Sequence, residues 1–185
     1  MAYKVKSIKN DKYQNLFKLG DNIINRIIPK SFCNFRWKKC TNEHKNILNS
    51  NEFINSNKDI CHLLKDSSNI LKENGFAIDE NNYHIDFHRY FLSNDDSKFK
   101  TDLDWHKDDK GATGYNVNTI IYYLNKDTTI EGGNLLYKRN KKDYKISVES
   151  NLIILMDGRL IHKPEDICGY GRRDSIVIQF KRIPK

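Results

Sequence analysis

The chain has 185 residues, a net charge of +8, and 38% hydrophobic, 11% aromatic and 30% charged residues. That length is enough to bury a core within one domain, and the aromatic content excludes a generally disordered chain. The longest strongly apolar stretch, Leu152 to Met156, is far below the ~18 residues a membrane-spanning helix needs. The N-terminal MAYKVKSIKNDKYQ has no apolar signal core, and Cys33, Cys40, Cys61 and Cys168 form no C-x-x-C pair. The expectation is a soluble, cytoplasmic, reduced protein with no cysteine zinc site. The basic excess lies partly in the first 45 residues and partly in the run from Lys138 to Lys145. Such a surface can attract nucleic acid or an acidic partner, but charge alone more often marks a solvated face.

Residues 1–80 read as mainly helical support. Leu16, Leu19, Ile23, Ile24 and Ile27 recur at helical spacing, with Gly20 in their midst weakening the pattern, and Pro29 stops it. A second helix is predicted from Asp59 to Glu73, ended by Asn74-Gly75. From Tyr83 the period shortens to two. β-rich runs follow at Tyr83–Leu92, Val117–Leu124, Asn134–Lys138, Tyr144–Val148, Asn151–Met156 and Ser175–Arg182, several separated by turn signals such as Gly132-Gly133 and Asp157-Gly158. Helices first and short strands after predict an α+β fold, with the helices on one face of a sandwich or barrel. No linker or repeat divides the chain.

Within Leu103-Asp104-Trp105-His106-Lys107-Asp108-Asp109, His106 and Asp108 are two apart and share a face of an extended strand. One more histidine would complete the two-His, one-carboxylate triad of non-haem Fe(II) sites. His162, just after an apolar strand and a turn, is the best placed. Further on, Gly171-Arg172-Arg173-Asp174-Ser175 opens the last β-rich run. Arg173 and Ser175 share a face there, and a guanidinium fork beside a hydroxyl suits a carboxylate. His84 and His88 also share a face, and read as packing or surface residues rather than a second metal site.

The order H-x-D, distal His, R-x-S resembles the Fe(II)- and 2-oxoglutarate-dependent dioxygenases. The segment Tyr122-Tyr123-Leu124-Asn125-Lys126-Asp127, followed by Gly132-Gly133-Asn134-Leu135, resembles the prolyl 4-hydroxylase-like branch, the oxygen-sensing enzymes in particular. The resemblance runs from Tyr83 to Lys185. It implies a double-stranded β-helix, or jelly roll, over residues 83–185. It implies His106, Asp108 and His162 as metal ligands and catalytic centre, with Fe(II), 2-oxoglutarate and O2 as cofactors and ascorbate as an optional reductant. Arg173, Ser175, Tyr123 and Tyr90 become the 2-oxoglutarate-binding residues. The spacing from His162 to the arginine pair is longer than usual in that branch, so Arg172 and Arg173 are both eligible, and the shared face with Ser175 selects Arg173. Gln179 stands where the oxygen-sensing enzymes tend to carry an aromatic. A carboxylate at Asp108, absent in related halogenases, argues for hydroxylation or demethylation.

The implied activity is hydroxylation of a prolyl or other side chain of a protein or peptide. The alternatives are an oxygenase of nucleic acid or of a small metabolite, and a non-catalytic metal-binding jelly-roll module. Loops near Asp95–Thr101 and Asp109–Tyr115 are expected to choose the substrate.

Overall fold

The computed structural model describes residues 3–33, 41–92, 104–109 and 116–184. Its helices are α1 (Gln14–Asn22), α2 (Asn42–Leu48), α3 (Asn51–Ser56) and α4 (Lys58–Glu73). Its strands are β1 (Val5–Ile8), β2 (Ile78–Leu92), β3 (Val117–Lys126), β4 (Ile130–Gly132), β5 (Leu135–Arg139), β6 (Lys142–Ile146), β7 (Leu152–Asp157), β8 (Ile161–Pro164), β9 (Ile167–Gly169) and β10 (Gly171–Arg182).

The two sequence periods map onto two layers. Five antiparallel strands form the larger sheet in the order β1-β7-β3-β10-β2, while β6-β5-β8 and β4-β9 form smaller sheets. On the larger sheet, alternate residues point to opposite faces. Ile120 and Tyr122 of β3, Ile153 and Leu155 of β7, and Ile176 and Ile178 of β10 join the helices in the main core. The intervening residues, among them Ile121, Tyr123, Ile154 and Met156, face the smaller sheets in a second core. β3 is buried along eight consecutive residues because both its faces are covered. This is the α+β jelly-roll architecture expected from the sequence.

Helix α4 covers the sheet with Ile60, Leu63, Leu64, Ile70 and Leu71. The Ser67 hydroxyl, also on α4, lies 2.8 Å from Tyr122 Oη. α4 ends where predicted. Gly75 takes φ +76, its N–H donates to Lys72 O and the Phe76 N–H to Leu71 O, the paired closure that favours glycine after a helix. The first helix departs from a simple α-helix. After Asn22 it widens into a π turn at Ile23–Ile27, closed by Ile28 N–H donating to Ile23 O at 2.9 Å. Ile28 is then extended, as the residue before Pro29 must be.

Some elements lie outside the predicted runs. β1 falls in the half read as mainly helical and joins the sheet edge beside β7. Helices α2 and α3 carry too few apolar residues for a clear period, and they form behind side-chain caps from Thr41 and Ser50. Strands β4, β8 and β9 have only three or four residues each. The turn signal at Asn94-Asp95-Asp96, the loop Asp95–Thr101, all of Asp109–Tyr115 except Asp109, and Cys40 lie outside the described residues. Among those described, Cys61 and Cys168 are free thiols, and no helix is long and apolar enough to cross a membrane.

Candidate metal centre and carboxylate pocket

A cavity of about 200 Å³ opens between the larger sheet and β5-β8. His106, Asp108 and His162 stand in its wall, and Tyr90, Tyr123, Arg173 and Ser175 line it too. The structure therefore brings together all seven residues singled out in the sequence.

Backbone pairing sets the triad. His106 and His162 form an isolated antiparallel bridge, with both N–H groups donating across it at 2.9 and 3.0 Å. The Asp108 N–H donates to Gly158 O at 2.9 Å. The H-x-D segment is thus tied to the turn after β7 and to β8. One ligand atom from each of the three residues lies within 4.8 Å of the others. Asp108 Oδ1 is 3.7 Å from His106 Nε2 and 3.6 Å from His162 Nε2.

Each side chain is held by a second contact. His106 Nδ1 is 2.8 Å from Asp104 O, and His162 Nδ1 is 3.0 Å from Leu160 O. A backbone carbonyl only accepts, so each Nδ1 carries the proton and each Nε2 presents its lone pair. The Thr119 hydroxyl donates to Asp108 Oδ2 at 2.6 Å, leaving Oδ1 toward the histidines. Burial pushes the His162 imidazole below its ordinary value, and His106 adds to this against the opposing pull of Asp108 and the Leu160 carbonyl. A neutral imidazole is the form that binds metal. The donor set of two nitrogens and one oxygen suits Fe(II).

The other end of the cavity is basic. Arg173 is 4% exposed, and Nη2 donates to Gly133 O at 3.1 Å. Its Nε is buried without a hydrogen-bond partner, and among the described residues no carboxylate pairs with it. Its guanidinium carbon lies 5.0 Å from the Tyr123 ring centre and 5.8 Å from that of Tyr90. Burial pushes the Tyr123 phenol up, against the pull of Arg173. Lys126 adds a second cation nearby, its ammonium donating to Gly132 O and Val148 O. Burial, then Arg173, hold that ammonium below its ordinary value. A buried guanidinium with an unpaired N–H is costly unless an anion completes it, so this end of the cavity fits a carboxylate.

Arg172 points the other way. Its Nε lies 3.0 Å from Asp174 Oδ2, on the helix-side face where Arg89 pairs with Asp174 through Nε at 3.0 Å and Nη2 at 2.9 Å. The Arg89 guanidinium also reaches Asn25 Oδ1. Sequence reasoning gave Asp86 no site role, set His88 aside as packing or surface, and placed Gln179 at the pocket wall only through the family resemblance. All three line the cavity. The signal was present, since positions 86, 88 and 90 alternate on one strand face.

No family model matches the chain, and no curated protein matches it. Solved structures do. A prolyl 4-hydroxylase from Phytophthora capsici matches with a TM-score of 0.60 at 13% identity, over 96% of this chain and 58% of that one. HygX from Streptomyces hygroscopicus, solved with nickel and 2-oxoglutarate bound, matches with a TM-score of 0.60 at 10% identity, over 97% and 82% of the two chains. A prolyl hydroxylase from Trichoplax adhaerens, in complex with a peptide fragment of the hypoxia inducible factor oxygen degradation domain, matches with a TM-score of 0.57 at 14% identity, over 96% and 83%. The chain thus spans little more than half the length of the Phytophthora enzyme. At these identities the likeness is one of fold: this is the jelly roll that the 2-oxoglutarate- and Fe(II)-dependent oxygenases use.

Proposed function

We propose that the chain is an Fe(II)- and 2-oxoglutarate-dependent hydroxylase acting on a prolyl or other side chain of a protein or peptide. The observation that carries this reading is the buried Arg173 guanidinium, which no carboxylate pairs among the described residues, in the same cavity as the triad. When bound, Fe(II) with 2-oxoglutarate and O2 supplies the oxidation, turning the co-substrate into succinate and CO2 as a substrate C–H becomes C–OH.

The chain's own residues bind and orient. His106, Asp108 and His162 hold the metal through Nε2, Oδ1 and Nε2. Thr119 and the Asp104 and Leu160 carbonyls keep those atoms turned inward. Arg173 takes the far carboxylate of 2-oxoglutarate in a charge-assisted contact, with Ser175, Tyr123 and Tyr90 around it. Ile121, Leu135, Met156 and Val177 give the cavity apolar walls that limit water. The peptide held by the Trichoplax neighbour supports the choice of a peptide substrate.

The test is conversion of 2-oxoglutarate to succinate by the full chain with Fe(II), alone and with peptides that contain proline, lysine and arginine. Slow turnover without peptide, faster with it and abolished by His106→Ala, is expected. Turnover that survives His106→Ala would contradict the reading.

A further inference from the structure

Sheet register divides the cavity into lanes. On β10 the inward residues run Arg173, Ser175, Val177, Gln179. Gln179 pairs across β3 with Thr119, which holds Asp108, so Gln179 marks the metal end and Arg173 the anchor end. The co-substrate's line between the two ends runs along β10 and β3. Asp86 lies off that line. It sits on the edge strand β2, opposite Val177, one strand spacing or about 5 Å from β10 and two from β3.

The Asp86 carboxylate is mostly buried, with 18% of its side chain exposed, and it lines the cavity. Its Oδ2 is 3.2 Å from His84 Nε2. Its Oδ1 has Lys45 Nζ at 3.8 Å, beyond hydrogen-bond reach. Burial opposes its charge, but the His84 hydrogen bond and the charges of His88, His84 and Lys45 outweigh that and hold its carboxyl below the ordinary range. It is therefore an anion at neutral pH with one oxygen incompletely paired. Beside it the Gln179 carboxamide lines the same wall and makes no hydrogen bond among the described residues. Neither group is used by the metal or by the carboxylate anchor.

We propose that Asp86, with Gln179 beside it, is the substrate subsite, and that it takes an ammonium or guanidinium group carried by the substrate near the carbon to be oxidised. This deepens the hydroxylase reading and rests on it. An anion in a half-buried wall recognises a cation by a charge-assisted hydrogen bond, and the Gln179 amide offers both a donor and an acceptor for the neighbouring polar atoms. A substrate without the positive charge leaves Asp86 poorly paired, which is a strong basis for rejecting it.

The test measures binding directly, by ligand-observed NMR on the full chain loaded with zinc, with and without 2-oxoglutarate. The probes are N-acetyl-arginine methylamide against its citrulline counterpart, and N-acetyl-lysine methylamide against its norleucine counterpart. In at least one pair the wild type should bind the cationic member about tenfold or more tightly. Asp86→Asn should remove that preference. Lys45→Met, which deletes the competing ammonium, should tighten the cationic probe. No preference in either pair, or one that survives in Asp86→Asn, overturns the proposal. If Asp86→Asn does not fold, Lys45→Met decides, and failure to tighten the cationic probe overturns it. Binding of 2-oxoglutarate to the zinc-loaded wild type is read separately. Its absence would remove the hydroxylase reading, while the probe comparison still reports on Asp86.

Discussion

Thr119 shows how one hydroxyl shapes the candidate metal centre. It is fully buried on β3 and donates to the Asp108 oxygen that faces away from the histidines. Without that bond the carboxylate is free to rotate, and the atom it offers a metal is no longer fixed. Outer contacts of this kind are worth about 10–100-fold in metal affinity. Thr119→Val keeps the shape and removes the donor. Its Fe(II) or zinc affinity, read by competition with a chelating dye, should fall by about that factor, and Thr119→Ser should recover most of it. Equal affinities for wild type and valine variant would mean that Asp108 is positioned by its backbone alone. The same scale explains why the two adjacent arginines have different fates. Arg172 and Arg173 are one residue apart, so the strand sends them to opposite faces. Asp174 captures Arg172 on the helix side, and Arg173 is left facing the cavity with no carboxylate partner among the described residues. Sequence spacing preferred Arg173 through Ser175, but the counter-charge on Arg172 comes from a fold contact that spacing does not display.

At the scale of elements, Gly20 sets how closely α1 approaches the sheet. A Cβ there would meet the Leu124 side chain at 2.6 Å and that of Ile176 at 3.4 Å. In the sequence this glycine only weakens a helical pattern. In the fold it is the contact point of helix and sheet, on the reverse side of the strands that carry Tyr123 and Ser175. Gly20→Val should destabilise by overpacking, about 1–3 kcal/mol, seen as a lower denaturant midpoint with an unchanged slope. Unchanged stability would show that α1 can lift without cost. β2 is legible from its alternation, and β3 and β10 from their β-branched and aromatic runs, which mark strands covered on both faces. β1 is not, since four residues joining a sheet edge carry too little pattern. β8 is likewise too short to read, although it delivers His162. Its place is fixed by pairing to β5 and to His106, a long-range relation that no local period encodes.

Across the whole molecule, the parts of the site come from distant stretches of chain, and the jelly roll brings them to one cavity. The H-x-D segment lies between β2 and β3, His162 on β8 and Arg173 on β10. The sequence carries the types and order of these residues, because metal binding needs nitrogen and oxygen donors on one face and a dicarboxylate needs a fixed cation. It does not carry the lane structure of the cavity, which depends on the register of β2, β10 and β3. That is why Asp86 emerges only from the fold, and why Gln179, placed at the pocket wall by resemblance, gains its neighbour there. The excess positive charge is spread over exposed positions such as Arg139, Lys141, Lys142 and Lys145 on and around the β5–β6 hairpin. That hairpin turns at Asn140 and Lys141, both with positive φ, and it belongs to the solvated surface. The cavity gathers the buried Arg173 guanidinium and the side chains of His106, Asp108 and His162, and it is where the proposed chemistry would take place.

The central claim is that one cavity holds a metal on His106, Asp108 and His162 and a dicarboxylate on Arg173. Its most direct test is an anaerobic titration of the purified chain with Fe(II) and 2-oxoglutarate, watching for the weak visible charge-transfer band of the chelate. The account predicts a band that needs both components and is lost in His162→Ala and in Arg173→Ala. A folded, iron-loaded protein that gives no band, or a band indifferent to Arg173→Ala, would contradict it.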